Sequence, residues 1–270
     1  MEPAIKSIGS FLPTDADGYL VNVASKELIQ EQWQPIADQL ILAYQKQFGK
    51  KLHSVYVRGS VARGQAIDGI SDVDSMALVL LDKEQIKNGW RKVVGREIET
   101  LFPFCAGVEL VVCPLQSLQT DAVLRLMLKT QSVCVFGEDI SPQLPKMKLG
   151  RDTIVHAFKL KNTLRTAELF LQTHHGTKAV KQKCRWIMKM LLRTGCELVM
   201  ERSGKYTRDL YPCYQLFSAL YPNHQSEMYR VLTYALFPTD DAKEILKLLK
   251  GFGTWLGGEV ERVLGEKQSS

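Results

Sequence analysis

Two apolar runs joined by a short polar segment, between residues 55 and 81, constrain this 270-residue chain more than any other feature. The first run, Val55–Val57, has the composition of a buried strand and ends at Gly59-Ser60. The second run, from Asp72 to Leu81, opens on Asp-Val-Asp and is apolar from Met76 onwards. We therefore expect two core strands whose polar connection carries unusual residues at both ends.

The carboxylates of Asp72 and Asp74 are predicted to emerge together at the start of the second strand. Successive strand side chains point to opposite faces, so the two acids share one face while Val73 faces the other. Two carboxylates this close repel each other unless a cation lies between them. Mg²⁺ binds carboxylate oxygens together with substrate phosphates. The pair therefore predicts a magnesium site for nucleotide chemistry.

Gly59 and Ser60 are suited to holding phosphate at the end of the first strand. A glycine lets the backbone approach a ligand closely, and a serine adds a hydroxyl beside the N–H groups of a turn. The alternative is structural, because Gly-Ser is frequent everywhere and Asp-X-Asp is frequent in surface turns. The apolar neighbours of the acids favour function, since unpaired carboxylates at the mouth of a core strand are costly to desolvate.

The stretch from Arg58 to Asp74 resembles a known family signature. Its two parts are Arg-Gly-Ser-Val-Ala-Arg-Gly at 58–64 and Ser-Asp-Val-Asp at 71–74. Both resemble the signature of the DNA-polymerase-β-type nucleotidyltransferase superfamily, in particular its small bacterial branch of aminoglycoside and minimal nucleotidyltransferases. The resemblance covers the N-terminal half well and the C-terminal half only in general character.

The resemblance implies further site residues. A third carboxylate on a neighbouring strand joins the first two in this family, as a metal ligand or as the group that activates the acceptor hydroxyl. Glu109, in the apolar run VELVV, is the best match, although an edge strand with one polar face would also explain it. Ser71 and Arg63 belong to the signature and are expected to bind nucleotide. For Arg58 and Arg63 a surface ion pair is the alternative.

Composition is that of a globular protein, with 45% hydrophobic and 24% charged residues. No apolar run approaches the roughly 20 residues that cross a bilayer, and the N-terminus has no signal-peptide pattern. Six scattered cysteines without a Cys-x-x-Cys pair predict free thiols in a reducing compartment. We expect a cytoplasmic protein without a membrane partner, and the sequence does not reveal its oligomeric state.

The periodicity predicts an α+β fold made of a small mixed β-sheet nucleotidyltransferase domain with helices, followed by an α-helical bundle domain. In the first part, helical spacing alternates with short apolar runs; in the second, helices alone are indicated. Two prolines between residues 141 and 145 mark the boundary. The predicted domains are 1–140, catalytic, and 146–270, helical. The expected helices span 27–48, 82–101, 116–130, 151–172, 178–202, 210–220, 225–236 and 240–256, and the expected strands span 55–57, 72–81, 108–112 and 132–136.

The helical half is basic, with 15 Lys and Arg against 5 Asp and Glu between Lys146 and Asp209. This excess suits a polyanionic substrate such as a nucleoside triphosphate, and it leaves RNA open as a partner. The loop 203–209 loosely resembles the lysine-bearing loop of the aminoglycoside enzymes, so Lys205 and Arg208 are candidate nucleotide-binding residues. A stripe at every fourth position is either a solvated helix face or a phosphate contact; it consists of Lys181, Arg185, Lys189 and Arg193.

The predicted function is Mg²⁺-dependent transfer of a nucleoside monophosphate, AMP from ATP by expectation, to a hydroxyl group of a small acceptor, with release of pyrophosphate. The alternatives are transfer to a protein or tRNA acceptor, and a non-catalytic regulator that keeps the fold. No motif in the sequence identifies the preferred base or the acceptor, because acceptor pockets are built from the C-terminal half, where the family resemblance is only general.

Overall fold

The structure is a computed structural model that describes residues 5–174 and 178–265. It divides into two compact units, the first spanning Pro13–Met147 and the second formed by the described residues of 1–12 and 148–270. The first unit holds the sheet and the second is helical, so the predicted α+β fold class is confirmed. None of the described helices is both long enough and apolar enough to cross a membrane.

The limits of the two units differ from the predicted domains 1–140 and 146–270 at the N-terminus. Residues 5–12 lie with the helices, because Leu12 N–H donates to the carbonyl of Tyr206 at 2.8 Å. Thr207 Oγ1 also donates to the carbonyl of Ser10 at 2.7 Å. These hydrogen bonds join segments almost 200 residues apart in sequence, so a local pattern does not reveal them.

The sheet has four strands in the order β3-β2-β1-β4, where β1 is Leu52–Arg58, β2 is Val73–Val79, β3 is Val108–Pro114 and β4 is Ser132–Gly137. β2 and β3 are parallel, whereas β1 is antiparallel to both of its neighbours. The two central strands are covered on both faces, which explains their continuous apolar runs. β3 lies at the edge, and buried positions alternate with more exposed ones along it.

Each face of the sheet has its own hydrophobic core. One face packs against α1, Gln34–Phe48, and α3, Trp90–Leu101, and it receives Val55, Val57 and Ala77. The other face packs against α4, Ala122–Gln131, and it receives Tyr56 and Met76. Because strand side chains alternate, Asp74 shares the face of Met76. A helical turn, α2, Gly59–Ala62, connects β1 to the loop before β2.

Several helices of this unit begin later than the periodicity predicts. α1 begins at Gln34 with Pro35 in its first turn, where the missing N–H costs nothing; the segment 26–33 forms two short 3₁₀ turns instead. α3 begins at Trp90 rather than at Asp82, because Asp82 caps a separate 3₁₀ turn, Lys83–Gln85. α4 begins at Ala122, where the Asp121 side chain accepts the N–H of Leu124.

The second unit consists of helices and short helical turns. Its α-helices are α5, Leu160–Thr173, α6, Lys178–Ser203, α7, Leu210–Leu220, α8, Gln225–Leu236, α9, Ala242–Leu248, and α10, Thr254–Val260. Two π-helical segments, Leu249–Gly253 and Glu261–Gly265, continue α9 and α10. α6 is the central helix, with most of its second half buried against α7 and α8. The predicted helical boundaries agree with these elements to within a few residues, except at the start of α5 and at the end of the last helix, which is predicted at 256, whereas the helix continues to Gly265.

A buried hydrogen-bonded pair, His156 and Glu197, joins α6 to the 3₁₀ turn that precedes α5. Glu197 accepts the backbone N–H groups of His156 and Ala157 at 2.8 Å each, and its other oxygen lies 2.6 Å from Nδ1 of His156. The exposed fraction is 2% for Glu197 and 6% for His156. Glu197 therefore satisfies backbone donors at a helix start that would otherwise be buried without acceptors.

Candidate functional site

Gly59 brings the backbone close to Asp74 at the end of β1. Its φ is +76°, a left-handed conformation that favours glycine. A Cβ at this position would lie 2.9 Å from Oδ2 of Asp74, closer than an ordinary contact. The carbonyl of the next residue, Ser60, accepts the N–H groups of Arg63 and Gln65 at 3.2 and 2.9 Å. The predicted Gly-Ser bend thus adjoins one of the predicted acids.

Asp74 and Glu109 lie opposite each other on the parallel strands β2 and β3. The exposed fraction is 26% for the Asp74 side chain and 52% for that of Glu109. Asp72 is exposed, precedes β2 by one residue and lies beside Gly107. Val73 between the two aspartates is 1% exposed and faces the core, as the alternation predicts.

Arg58 completes a row of charged residues across three strands. In the antiparallel pairing of β1 with β2, Arg58 lies opposite Asp74. Its guanidinium forms an ion pair with Glu109, and Nη2 lies 3.7 Å from Oδ1 of Asp74. The Arg58 side chain is 17% exposed, and its Nε is buried without a hydrogen-bond partner among the described residues. A cation thus already links the two carboxylates.

A buried hydroxyl network supports this row from the other face of the sheet. Ser75 Oγ donates to the carbonyl of Glu109 at 2.8 Å. The Tyr44 hydroxyl donates to the carbonyl of Val111 at 3.1 Å and lies 3.0 Å from Ser75 Oγ. Sequence reasoning missed Tyr44 and Ser75. A serine inside an apolar strand was a signal for the second, but nothing local marked the first as its partner.

Ser71 and Arg63 support the backbone that leads into the acids. Ser71 is 9% exposed, and its Oγ accepts the N–H of Ile67 at 2.9 Å. The carbonyl of Ser71 accepts the N–H of Ala106 at 2.9 Å, which fixes the approach to Asp72. Arg63 Nε donates to the carbonyl of Gly59 at 3.3 Å. Nucleotide binding by Ser60, Ser71 and Arg63 stays a prediction.

The donor chemistry of the row fits a magnesium ion. Its side-chain ligands would be carboxylate oxygens, and the Arg58 guanidinium shows that this place attracts a cation. The structure pairs Asp74 with Glu109, but within residues 5–174 and 178–265 it gathers no group of three His, Cys, Asp or Glu side chains that could hold a metal. Mg²⁺ commonly takes one or two carboxylates together with phosphates and water, so a preformed trio is not required.

The candidates in the helical half have contacts within their own unit. Lys205 is exposed, and its Nζ lies 5.3 Å from the ring centroid of Phe11. Arg208 is half-buried, and its carbonyl accepts Nε of Arg193 at 3.4 Å. Its Nη1 is buried and has no hydrogen-bond partner in the described part of the chain. In the basic stripe, Lys181 and Arg185 are exposed, whereas Lys189 and Arg193 are half-buried. Only the first half of the stripe is therefore a solvated face.

Comparison with known proteins gave a likeness of shape alone. No family model matches the chain, and no curated protein sequence matches it. A crystal structure of the spectinomycin adenyltransferase AAD(9) from Enterococcus faecialis, with ATP and spectinomycin, is similar at a TM-score of 0.47 and 11% identity. The similarity covers 84% of this chain and 99% of that chain. A likeness at this level carries no inference about activity.

Proposed function

We propose that this chain is a nucleotidyltransferase that transfers AMP from ATP to a hydroxyl group of a small acceptor and releases pyrophosphate. The observation that carries the proposal is the in-register pair of Asp74 and Glu109 beside the positive-φ turn at Gly59. Half-exposed carboxylates at a sheet end, next to a backbone that a ligand can approach closely, suit a nucleotide held with a cation.

The acids have two roles in this proposal. Asp72 and Asp74 would hold Mg²⁺, with Glu109 as the third candidate ligand. When bound, the metal neutralises charge on the triphosphate and on the leaving pyrophosphate. Glu109 is half-exposed on the edge strand, so it is accessible to an acceptor and is the candidate general base. Such proton transfer contributes about 10²- to 10⁴-fold in rate.

The bond changes follow from these roles. The acceptor oxygen forms a bond to the α-phosphorus, and the bond from that phosphorus to the oxygen bridging to the β-phosphate breaks. The proton of the acceptor hydroxyl passes to Glu109. Gly59 and Ser60 would hold the β- and γ-phosphates, with Arg63 and Ser71 supporting that turn. Lys205 and Arg208 are further candidates for phosphate binding. Positioning and charge neutralisation supply most of the catalysis in phosphoryl-type transfer.

A macromolecular acceptor with phosphate groups is the second candidate, and one feature of the edge strand favours it. A hollow of about 320 Å³ between α3 and β3 is lined by Arg91, Lys92 and Arg96, and none of the three forms an ion pair with a described residue. Glu99 also lines the hollow. Arg91 and Lys92 stand in the first turn of α3, where cations oppose the helix dipole. The hollow lies on the α3 face of the sheet, opposite to the face of Asp74. An anionic acceptor such as tRNA that also contacts this face would relieve the repulsion, whereas a polycationic one would not.

One experiment tests the reaction and separates the acceptors. The protein is incubated with Mg²⁺ and each of four NTPs labelled at the α-phosphate, in parallel with aminoglycosides, tRNA or a protein extract. Pyrophosphate release and the size of the labelled product are measured, with Asp74→Asn as the control. We expect ATP-dependent labelling that the variant lacks. If calorimetry detects no Mg²⁺-dependent NTP binding, the proposal is contradicted and the non-catalytic regulator is supported.

A further inference from the structure

The Arg58 guanidinium contacts two of the carboxylates that the proposed function assigns to a metal ion. Arg58, Asp74 and Glu109 form one row across β1, β2 and β3, fixed by the strand register rather than by flexible loops. The guanidinium forms an ion pair with Glu109 and lies 3.7 Å from the nearer oxygen of Asp74. These are the same carboxylates that the proposed function assigns to Mg²⁺.

We propose that Arg58 is a resident counter-cation that competes with the divalent metal for Asp74 and Glu109. The protein then binds the metal weakly when no nucleotide is present, and it binds the metal more tightly together with a nucleoside triphosphate. This inference rests on the proposed function, since it concerns how the same acids are made available. It adds a residue that controls the order of binding.

The electrostatics support competition rather than coexistence. Two neighbouring carboxylates repel each other, and the guanidinium relieves this repulsion through one nitrogen, Nη2, which forms an ion pair with both of them. A divalent ion on the same oxygens would bring two like charges into direct contact with the Arg58 cation. Only 17% of the Arg58 side chain is exposed, so water screens that repulsion poorly. The guanidinium must therefore move before the metal binds.

The nucleotide supplies what the displaced guanidinium needs. Arg58 directly precedes Gly59 and Ser60, the candidate triphosphate-binding turn. Guanidinium forks pair with phosphate as readily as with carboxylate. Mg²⁺ dehydrates reluctantly and takes phosphate oxygens along with one or two carboxylates. A triphosphate thus offers new ligands to the metal and a new anionic partner to Arg58, whereas metal alone offers neither.

The test measures binding of Mn²⁺, a paramagnetic substitute for Mg²⁺, to the full chain without nucleotide. Electron paramagnetic resonance counts the free ion in wild type, Arg58→Met and Arg58→Lys. We expect Arg58→Met to bind Mn²⁺ on the order of tenfold more tightly than wild type, the effect of removing one charge-assisted partner. Arg58→Lys keeps the charge but replaces the planar guanidinium with a more compact, more mobile ammonium group, so its affinity falls between the two.

Lys46→Met is the matched control for charge. Lys46 is exposed on α1, which packs on the opposite face of the sheet from Asp74. This variant removes one positive charge from the same unit without touching the row, and its Mn²⁺ affinity should equal that of wild type. Equal affinities for wild type and Arg58→Met would overturn the proposal, as would a gain in Lys46→Met as large as that in Arg58→Met.

A thermal melt guards against a simple folding defect. Without metal, Arg58→Met leaves Asp74 and Glu109 to repel each other, so its Tm should lie below that of wild type. Mn²⁺ should raise the Tm of Arg58→Met more than it raises that of wild type, and a variant whose Tm does not respond to Mn²⁺ would contradict competition. The transfer of label from ATP by wild type separates the two proposals. If wild type transfers AMP but Arg58→Met binds Mn²⁺ no more tightly than wild type, the proposed function stands and only the role of Arg58 is refuted.

Discussion

Asp74 on β2 lies directly opposite Glu109 on β3, and the Arg58 guanidinium is a common partner of both carboxylates. The parallel register makes this arrangement possible, because it aligns the second residues of two strands that are separated in sequence. The pair is half-exposed at the sheet end, where a ligand can reach it. The main predictions about activity depend on this relationship.

Asp74→Asn should remove nucleotidyl transfer and leave the fold intact. The substitution is nearly isosteric and the side chain is part-exposed, so the Tm should change little. Loss of one charge-stabilising group lowers turnover on the order of 10²-fold or more. The measurement is pyrophosphate release alongside a thermal melt. Asp68→Asn is the control, because Asp68 is an exposed acceptor for Gln32 and its amide can keep that bond. Full activity in Asp74→Asn would refute the assigned role.

A comparison of Gly59→Ala with Gly69→Ala separates the effect of backbone strain on stability from the effect of a new Cβ on the candidate site. Both glycines have positive φ, +76° and +72°, so each substitution should lower the free energy of unfolding by roughly 1–2 kcal/mol. At Gly59 the new Cβ would lie 2.9 Å from Asp74, whereas at Gly69 no atom of the described residues lies within 4 Å of it. We expect activity to be lost in Gly59→Ala alone. Denaturation curves and turnover check this, and equal activity in both variants would contradict it.

Ser75→Ala and Tyr44→Phe should reveal the hydroxyl network that supports Glu109. Each removes a buried hydrogen bond to a β3 carbonyl, which costs about 1–3 kcal/mol when a partner is left unsatisfied. Because the two hydroxyls contact each other, a double-mutant cycle should give a coupling energy above about 0.5 kcal/mol. Ser75→Ala should also lower kcat more than it changes KM. Additive effects would show that the hydroxyls act separately.

The buried pair of His156 and Glu197 predicts lower stability in mild acid. Burial lowers the pKa of His156 below its ordinary value of 6.5, and the Arg208 and Arg193 charges lower it further, against the raising effect of Glu197. The unfolded chain then binds more protons than the native one as pH falls below 6.5. The contribution of neutral His156 to the free energy of unfolding is fully present above pH 6.5. It is lost as the pH falls from 6.5 to the lowered native pKa, by at most about 1.4 kcal/mol per pH unit.

Urea unfolding of wild type and His156→Gln at pH 7.5 and 5.5 measures this effect. His156→Gln should lose less stability than wild type between the two pH values, because glutamine does not titrate and can still donate to Glu197. His174→Gln is the control, since His174 is exposed at the end of α5. An identical pH dependence in wild type and His156→Gln would show that other groups cause the acid sensitivity.

The sequence by itself determined the strands, most helices, and the identity of the candidate acids. Continuous apolar runs and turn residues reveal these features, because secondary structure and the placement of a polar residue at a strand end follow from local chemistry. The sequence also indicated Glu109, through one acid in an apolar run. It did not indicate where α3 begins, since the capped turn at Asp82 interrupts an otherwise continuous helical pattern.

Only the tertiary structure decided which of these residues meet. The parallel pairing of β2 with β3 aligns Asp74 with Glu109 and leaves Asp72 outside a preformed group of three acids. The antiparallel pairing of β1 with β2 places Arg58 against both carboxylates, and helix packing brings the Tyr44 hydroxyl to Ser75. Strand register and helix packing depend on the sum of many distant contacts, so no local pattern of residues specifies them.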